Sequence, residues 1–207
     1  MRFRTLLLVT SAVAAMVAAA GFRFLGGAEV GSAAPAFSLP SNTGKTVSLD
    51  QFKGKYVVLE WTNQGCPYVH KQYGTGNMQA TQKWARDHGA IWLTIDSSAE
   101  GKQGYMTADQ ATALLKSAHM SSNAILLDPD GTVGHLYGAK TTPHMFVIDP
   151  KGTVIYNGAI DDKPTTDFDD VKTAKNYVEA ALEEAMAGKP VTNPTSRPYG
   201  CSVKYKN

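Results

Sequence analysis

The sequence predicts an α/β fold in which a central mixed sheet is flanked by helices. Short continuous apolar runs, typical of buried strands, recur along the chain. They alternate with segments that show helical periodicity or helix-start signals. Parallel neighbouring strands need a crossover connection, usually a helix, so this alternation favours the α/β class.

Five apolar runs are the predicted strands, and turn residues bound them. They are Tyr56–Trp61, Ala90–Ile95, Ala124–Leu127, Met145–Ile148 and Thr153–Tyr156. Lys151-Gly152 separates the last two, which is a hairpin signal and predicts one antiparallel edge on an otherwise parallel sheet. A further hairpin is predicted at residues 37–48, before the first of these strands.

Helices are predicted between the strands. Pro67–His88 is one candidate, interrupted at Gly74–Gly76. Thr107–His119 opens with a capping-box pattern, and a short helix is expected before the fourth strand. Asp169–Ala187 has the clearest helical periodicity, and Gly188 supplies its stop.

The first 20 residues have the three parts of a secretory signal peptide. Two arginines supply positive charge, Leu6–Val17 is the apolar stretch, and Ala18–Ala20 offers a small-residue cleavage site. We therefore expect export, to the periplasm in a Gram-negative host, with residues 21–34 as a linker. An uncleaved anchor is the alternative, because the apolar region reaches the roughly 18 residues at which a bilayer can be spanned. Membrane contact is expected only by this route.

The body of the chain is electrically neutral. The 207 residues include 20 basic and 18 acidic side chains, and Arg2 and Arg4 belong to the predicted signal. The remaining charges balance, so the body lacks the positive field of a nucleic-acid-binding protein, and we expect no nucleic-acid partner. The hydrophobic content of the whole chain, 43%, is that of one globular domain, which we place at residues 35–188, followed by a tail over residues 189–207.

Cys66 is predicted to lie at a helix N-terminus. It follows the loop Thr62–Gly65, and Pro67 then occupies the first helical position, where a missing N–H costs nothing. Unpaired backbone N–H groups and the helix dipole favour thiolate there, and thiolate is the nucleophile in peroxide reduction and disulfide exchange. His70 and Lys71 follow on the same helix and are predicted to tune the thiolate by positive potential. A buried structural cysteine is the alternative.

Cys201 is the only other cysteine. Two cysteines are too few for a disulfide-rich scaffold or a four-thiolate zinc site, but they suffice for one redox pair. Cys201 lies on the tail, which we expect to be flexible and able to reach the Cys66 loop of the same chain or of a partner. The alternative is a permanent clamp, which could stabilise the fold by up to ~5 kcal/mol in the chain-entropy model.

These segments resemble the thioredoxin superfamily, and within it the redoxin branch of peroxiredoxin-like (AhpC/TSA-type) and TlpA-like proteins. The resemblance lies in the strand ending at Trp61, the Cys66-Pro67 helix start, and Thr142-Pro143 directly before a strand. Gly65–Val69 and the ending Tyr199–Tyr205 are similar to an exported peroxiredoxin-like subgroup. The likeness covers about residues 33–207. It implies a thioredoxin-like fold with a cis bond before Pro143, a bond for which Thr-Pro alone is a weak signal.

The sequence departs from the family patterns in two places. Val69 stands where thioredoxins carry their second cysteine, so the local dithiol that shuttles disulfides is absent. Asn63 and Leu59 stand where peroxiredoxins carry a threonine and a proline ahead of the peroxidatic cysteine. Thr62 lies one position further from Cys66 than that threonine.

The resemblance implies an enzyme, a thiol peroxidase or thiol-disulfide oxidoreductase. Cys66 would attack a peroxide or a disulfide, and Cys201 would resolve the product into a disulfide that an external thiol reductant, such as a thioredoxin-like protein, reopens. The expected substrate-binding residues surround the Cys66 loop and the Thr-Pro turn: Thr62, Asn63, Pro67, Tyr68, Thr142 and Pro143. No cofactor is expected, and no metal, since Cys66, His70 and His144 lack tight ligand spacing. The alternative is a non-enzymatic redoxin-fold binding protein with a structural Cys66–Cys201 disulfide.

Overall fold

The computed structural model describes residues 27–206. Nine strands are described, in chain order: β1 Ser38–Pro40, β2 Thr46–Ser48, β3 Val57–Trp61, β4 Ile91–Asp96, β5 Ala124–Leu127, β6 Thr141–Thr142, β7 His144–Ile148, β8 Val154–Gly158 and β9 Cys201–Ser202. Five of them form the central sheet in the order β5-β4-β3-β7-β8. The β3, β4 and β5 strands are parallel, whereas β7 is antiparallel to both β3 and β8. The predicted α/β class with a mixed sheet is confirmed, and so is the hairpin, formed by β1 and β2. The predicted antiparallel edge is wrong, because the antiparallel strand is β7, inside the sheet, and the edge strand β8 runs parallel to β3.

Five α-helices flank the sheet: α1 Pro67–Gly74, α2 Asn77–Asp87, α3 Ala108–Ser117, α4 Thr132–Tyr137 and α5 Tyr177–Met186. The predicted interruption separates α1 from α2, and Gly76 takes a left-handed backbone with φ of 79° there. The capping box of α3 is formed as predicted. The Thr107 hydroxyl accepts from the Gln110 backbone, and the Gln110 side chain accepts from the Thr107 backbone.

The last helix is shorter than the predicted Asp169–Ala187. Asp169–Thr173 forms only a 3-10 turn, and α5 begins at Tyr177. The Asn176 side chain fixes this start, because its oxygen accepts hydrogen bonds from the backbone N–H groups two and three residues on, at 3.0 and 3.1 Å. These are donors that a helix start leaves without a partner.

The sheet is covered on both faces, which is why β3 is buried along its whole length. Leu59 and Trp61 belong to one apolar cluster, with the β1–β2 hairpin and α4. Val58 belongs to the other, with residues of α2 and α5. β3 is therefore held rigidly in the core, and the loop that leads to Cys66 starts at its carboxyl end.

The tail after α5 is packed against the domain, which differs from the flexible tail expected. β9 pairs antiparallel with β6, Val203 is buried in the cluster that contains Trp61, and the Tyr205 ring stacks on His135 with centres 3.9 Å apart. Backbone pairing leaves no periodic side-chain pattern in so short a segment, so the sequence carried no signal for it.

The N-terminal predictions are only partly within reach of the structure. The predicted signal peptide, residues 1–20, lies outside the described residues. The described part of the predicted linker packs against β8, since Ala33 bridges Thr153 and Ala28 is buried. Over residues 27–206, none of the helices has the length and apolar character needed to cross a bilayer.

Candidate active site

Cys66 is the N-cap residue of α1, with Pro67 at its first turn, as predicted. Asn63 shapes the loop that leads to it. The Asn63 carbonyl accepts from the Cys66 N–H at 3.0 Å, its side-chain oxygen accepts from the Gly65 N–H at 2.8 Å, and its side-chain nitrogen donates to the Gln103 carbonyl at 2.9 Å. The backbone N–H of Cys66 is therefore used inside the loop and not by the thiolate.

The sulfur of Cys66 faces the Thr-Pro turn. The Thr142–Pro143 peptide is cis, and both residues are buried. In the thiol form, Cys66 Sγ donates to the Thr142 carbonyl at 3.0 Å. Cys66 itself has 0% of its surface exposed. The two segments that the sequence singled out, 76 residues apart, thus meet at the candidate nucleophile.

Cys201 lies on the strand that pairs with the Thr-Pro turn. It lies directly opposite Thr142 in the β6–β9 pair, and the Thr142 hydroxyl donates to the Cys201 carbonyl at 3.5 Å. Its thiol lies near enough to Cys66 for each cysteine to shift the pKa of the other. Both cysteines are free thiols, and Cys201 is the more exposed of the two. The pair is formed within one chain.

The two thiols differ in acidity. Burial raises the pKa of the Cys66 thiol, but hydrogen bonds from the Thr142 side chain, the Val69 backbone and Cys201 outweigh it, so this pKa lies below its ordinary value. Burial raises the pKa of Cys201 to about 11, and the neighbouring Cys66 adds to the shift through hydrogen bonding and through the negative charge of its thiolate. Cys66 is therefore the more acidic of the two thiols, and Cys201 the one that holds its proton more tightly.

His70 and Lys71, predicted to tune the thiolate, have other contacts. The buried Lys71 ammonium donates to the Lys163 carbonyl at 2.8 Å. The exposed His70 ring packs on Phe168, with ring centres 5.5 Å apart. Neither is among the groups that shift the pKa of Cys66. Helical spacing placed both side chains near the thiol, but long side chains and aromatic packing directed them elsewhere.

The sequence model of the AhpC/TSA family matches residues 30–157. The chain belongs to the AhpC/TSA family. The family resemblance is thereby confirmed, and with it the class of thiol-dependent oxidoreductases. The matched region of this AhpC/TSA protein contains Cys66 and Pro143 but ends before Cys201. No curated protein matches the chain.

Solved structures show the thioredoxin-like fold of this AhpC/TSA protein. An uncharacterised conserved protein from Geobacillus kaustophilus is 22% identical, with a TM-score of 0.74 over 86% of this chain and 93% of that one. A hypothetical protein from Sinorhizobium meliloti 1021 is 23% identical, with a TM-score of 0.71 over 86% and 95%. The thioredoxin domain of a thiol-disulfide oxidoreductase from Bacteroides vulgatus is 23% identical, with a TM-score of 0.50 over 70% and 96%.

The six residues expected to bind substrate differ in their exposure in this AhpC/TSA protein. Pro67 is exposed and Tyr68 half-buried, so both reach the surface beside Cys66, whereas Thr142 and Pro143 are buried next to the Cys66 sulfur. Thr62 is buried and lines a cavity of about 150 Å³ on the other flank of the loop. Asn63 has 0% of its surface exposed, and both its side-chain nitrogen and its side-chain oxygen are hydrogen bonded within the loop region, so it positions the loop.

His144 holds the turn that carries β6. Its Nδ1 accepts from the Lys140 N–H at 3.1 Å, and its Nε2 lies 2.9 Å from the Asn157 side-chain oxygen. A backbone N–H can only donate, so Nδ1 carries no proton and Nε2–H donates to Asn157. Both ring nitrogens are occupied. Among the described residues, no three His, Cys, Asp or Glu side chains are arranged to hold a metal ion.

We expect His144 to make the stability of this AhpC/TSA protein fall at acidic pH. Burial lowers its pKa from 6.5 to about 4, outweighing the opposing hydrogen bond to Asn157. The unfolded chain binds more protons between these values, so this stabilisation is complete above pH 6.5 and is lost as the pH falls towards 4. The loss amounts to about 3 kcal/mol. Urea unfolding from pH 7 to pH 4 measures it.

The His144→Gln variant provides the comparison, because glutamine retains a donor and an acceptor but does not titrate. Its stability should change less between pH 7 and pH 4 than that of the wild type, by about the same 3 kcal/mol. His88→Gln, at an exposed position, should keep the wild-type dependence. Equal pH dependence of His144→Gln and the wild type would contradict the assignment.

Three residues of the site were not predicted. Gln103 closes the Cys66 loop by donating to the Gly65 carbonyl at 3.0 Å, and no local pattern marked it. Asp161 stands next to Asp162 in a short acidic run, a pattern typical of exposed residues, yet its side chain is buried. Gly200 directly precedes Cys201, and its φ of 139° and its contact with Thr142 require glycine. A glycine next to a tail cysteine was the one available signal.

Proposed function

We propose that the protein is an exported, peroxiredoxin-like thiol oxidoreductase with antioxidant activity, in which Cys66 is the nucleophile and Cys201 of the same chain is the resolving cysteine. The observation that carries the proposal is that both cysteines meet at Thr142: Cys66, a buried thiol of lowered pKa, bonds to the Thr142 carbonyl, and Cys201 pairs with Thr142 across the β6–β9 ladder. Export is proposed from the N-terminal sequence pattern.

With a peroxide, the Cys66 thiolate attacks one peroxide oxygen. An S–O bond forms, the O–O bond breaks, and the leaving alkoxide or hydroxide takes a proton, so the peroxide is reduced and Cys66 becomes a sulfenic acid. The Cys201 sulfur then attacks the Cys66 sulfur as its proton passes to the departing hydroxide. Water leaves, and an intramolecular disulfide remains.

With a disulfide substrate, the same two sulfurs act in the same order. The Cys66 thiolate attacks one substrate sulfur, the substrate S–S bond breaks, and a mixed disulfide forms. Cys201 then attacks Cys66 and releases the second substrate thiol. In both cases two electrons leave the cysteine pair, and an external dithiol, for which a thioredoxin-like protein is the proposed source, returns them.

Turnover of the purified full-length protein tests the proposal. Alkyl hydroperoxide and a small model disulfide serve as alternative substrates, with a dithiol as reductant. We expect turnover of at least one, and none above the uncatalysed rate for Cys66→Ser. Cys201→Ser should consume one equivalent of substrate and then stop, because resolution is lost. The proposal would be contradicted if Cys66→Ser turned over either substrate at the wild-type rate, or if the wild-type protein turned over neither substrate.

A second candidate is a non-enzymatic binding protein in which Cys66 and Cys201 form a structural disulfide. One observation favours it: Cys66 has 0% of its surface exposed, as expected of a static clamp. The lowered pKa of Cys66 favours the redox pair instead, because structural buried cysteines in apolar surroundings have raised values. The lability of the disulfide separates the two candidates.

A further inference from the structure

One buried carboxylate connects the two segments that carry the cysteines. Asp161, 1% exposed, follows β8. Its Oδ2 accepts from Gln72 Nε2 at 2.7 Å, and its Oδ1 accepts from the Tyr199 hydroxyl. Gln72 lies in α1, the helix that begins after Cys66, and Tyr199 stands two residues before Cys201. The Asp161 side chain thus bonds both to the helix that follows Cys66 and to the segment that precedes Cys201.

Both arms of this connection are held in place by their surroundings. Gln72 has 0% of its surface exposed, and its amide oxygen accepts from the Asn77 side chain. The Tyr199 ring packs edge-on against Tyr68, with ring centres 5.8 Å apart, and the Lys71 ammonium lies 5.4 Å from the Tyr199 ring centre. The Tyr199 hydroxyl therefore has little freedom to take another partner.

Asp161 is itself fixed in direction. Its Oδ1 also accepts from the Lys163 N–H at 2.8 Å, and the ammonium of Lys71, bonded to the Lys163 carbonyl, lies close enough for its charge to interact with the Asp161 carboxylate. Charge-assisted hydrogen bonds of this kind are stronger than those between neutral groups. The Lys71 charge, which the sequence assigned to the thiolate, instead supports this carboxylate.

We propose that Asp161 is a positioning residue for the redox pair and that, through Tyr199, it holds Cys201 against Cys66. The inference deepens the proposed function and rests on it for its chemical meaning. The far side of the tail is held independently, by the buried Val203 and by the Tyr205 hydroxyl, which donates to the Ala139 carbonyl at 2.7 Å. Loss of the Asp161 contact should therefore displace the segment that carries Cys201 without releasing the whole tail.

Two quantities should respond to that displacement. The first is the equilibrium constant for forming the Cys66–Cys201 disulfide against glutathione, which reports how often the sulfurs meet. The second is the pKa of the Cys66 thiol, which hydrogen bonds from Cys201 now lower. It should rise when Cys201 moves away. A change that affected only global stability would not shift this pKa.

The test uses the full-length Tyr199→Phe variant, which keeps the ring and removes only the hydroxyl. We expect its disulfide equilibrium constant to fall about tenfold, the effect of losing one hydrogen bond to a charged group. The rate of iodoacetamide alkylation as a function of pH should show a higher Cys66 pKa. Tyr137→Phe is the matched control, because it removes another tyrosine hydroxyl, bonded to the Pro35 carbonyl at 2.7 Å, and should leave both quantities unchanged.

The Asp161→Asn variant and the double variant show whether the two residues act together. If Tyr199 acts through Asp161, the double variant should lose no more than Asp161→Asn alone. The inference would be overturned if the disulfide equilibrium constant of Tyr199→Phe lay within twofold of the wild-type value. It would also be overturned if Tyr199→Phe and Tyr137→Phe shifted the equilibrium constant and the Cys66 pKa equally. Both thiol measurements are made without turnover, so they can succeed where the proposed function fails. Absence of turnover in the wild type would count against the proposed function alone.

Discussion

Gly200→Ala is expected to separate Cys201 from Cys66. Gly200 has a φ of 139°, and an added Cβ would lie 2.0 Å from the Thr142 carbonyl oxygen and 2.7 Å from the Thr142 carbonyl carbon. These are backbone atoms that no rotamer change can move away. The β6–β9 pair must therefore open. The loss of two strand hydrogen bonds of about 1 kcal/mol each corresponds to roughly 30-fold slower disulfide formation between the two cysteines.

The time course of thiol loss after one equivalent of oxidant, followed by alkylation and mass spectrometry, measures this rate. Gly152→Ala is the matched control, since Gly152 also has a positive φ, 83°, but an added Cβ would meet nothing within 4 Å. Gly152→Ala therefore has the same cost of placing alanine at a positive φ, but it changes no contact of the two cysteines. Oxidation of Gly200→Ala at the Gly152→Ala rate would show that β9 does not position Cys201.

Glu60→Leu is expected to cause the largest loss of stability, about 4 kcal/mol. Glu60 is fully buried in β3, where burial raises its pKa. Its carboxyl oxygens accept four hydrogen bonds of 2.7 to 3.1 Å, from Tyr73, Gln82, Trp92 and Thr94. Leucine would leave the buried Trp92 indole N–H and the Tyr73 hydroxyl without that acceptor, and each orphaned donor costs roughly 1 to 3 kcal/mol.

Urea unfolding at pH 7 measures this loss, and Glu183→Leu, at an exposed position of α5, provides the control with an expected change within about 0.5 kcal/mol. The Glu60 bonds join β3 to Tyr73 of α1, the helix that begins after Cys66. The variant should therefore also loosen the position of Cys66. A stability of Glu60→Leu equal to that of the control would contradict a structural role for these four bonds.

The strands and the Cys66 helix start were predictable because their causes are local. A continuous apolar run forms β3, and Pro67 directly after Cys66 marks the first turn of α1. The approach of Thr142 to Cys66 was predictable only by family resemblance, since 76 residues separate them. Local patterns predict where an element begins but not which distant element it meets.

What the sequence did not predict depends on side-chain direction and on backbone contacts. Lys71 stands five residues after Cys66, yet its long side chain runs to the Lys163 carbonyl. The tail was expected to be flexible because it lacks apolar periodicity, whereas β9 is held through its backbone. The apolar periodicity of Asp169–Ala187 predicted one helix, but α5 begins only after Asn176, whose side chain caps its first turn.

Disulfide mapping of the purified full-length protein across a graded series of redox potentials tests most directly whether Cys66 and Cys201 are a redox pair. Non-reducing peptide mass spectrometry should find one intramolecular Cys66–Cys201 crosslink after oxidation. It should open reversibly at a moderate potential, above about −300 mV. A crosslink that persists at potentials below about −300 mV would identify a structural clamp, and the absence of any Cys66–Cys201 crosslink after oxidation would contradict the pairing itself.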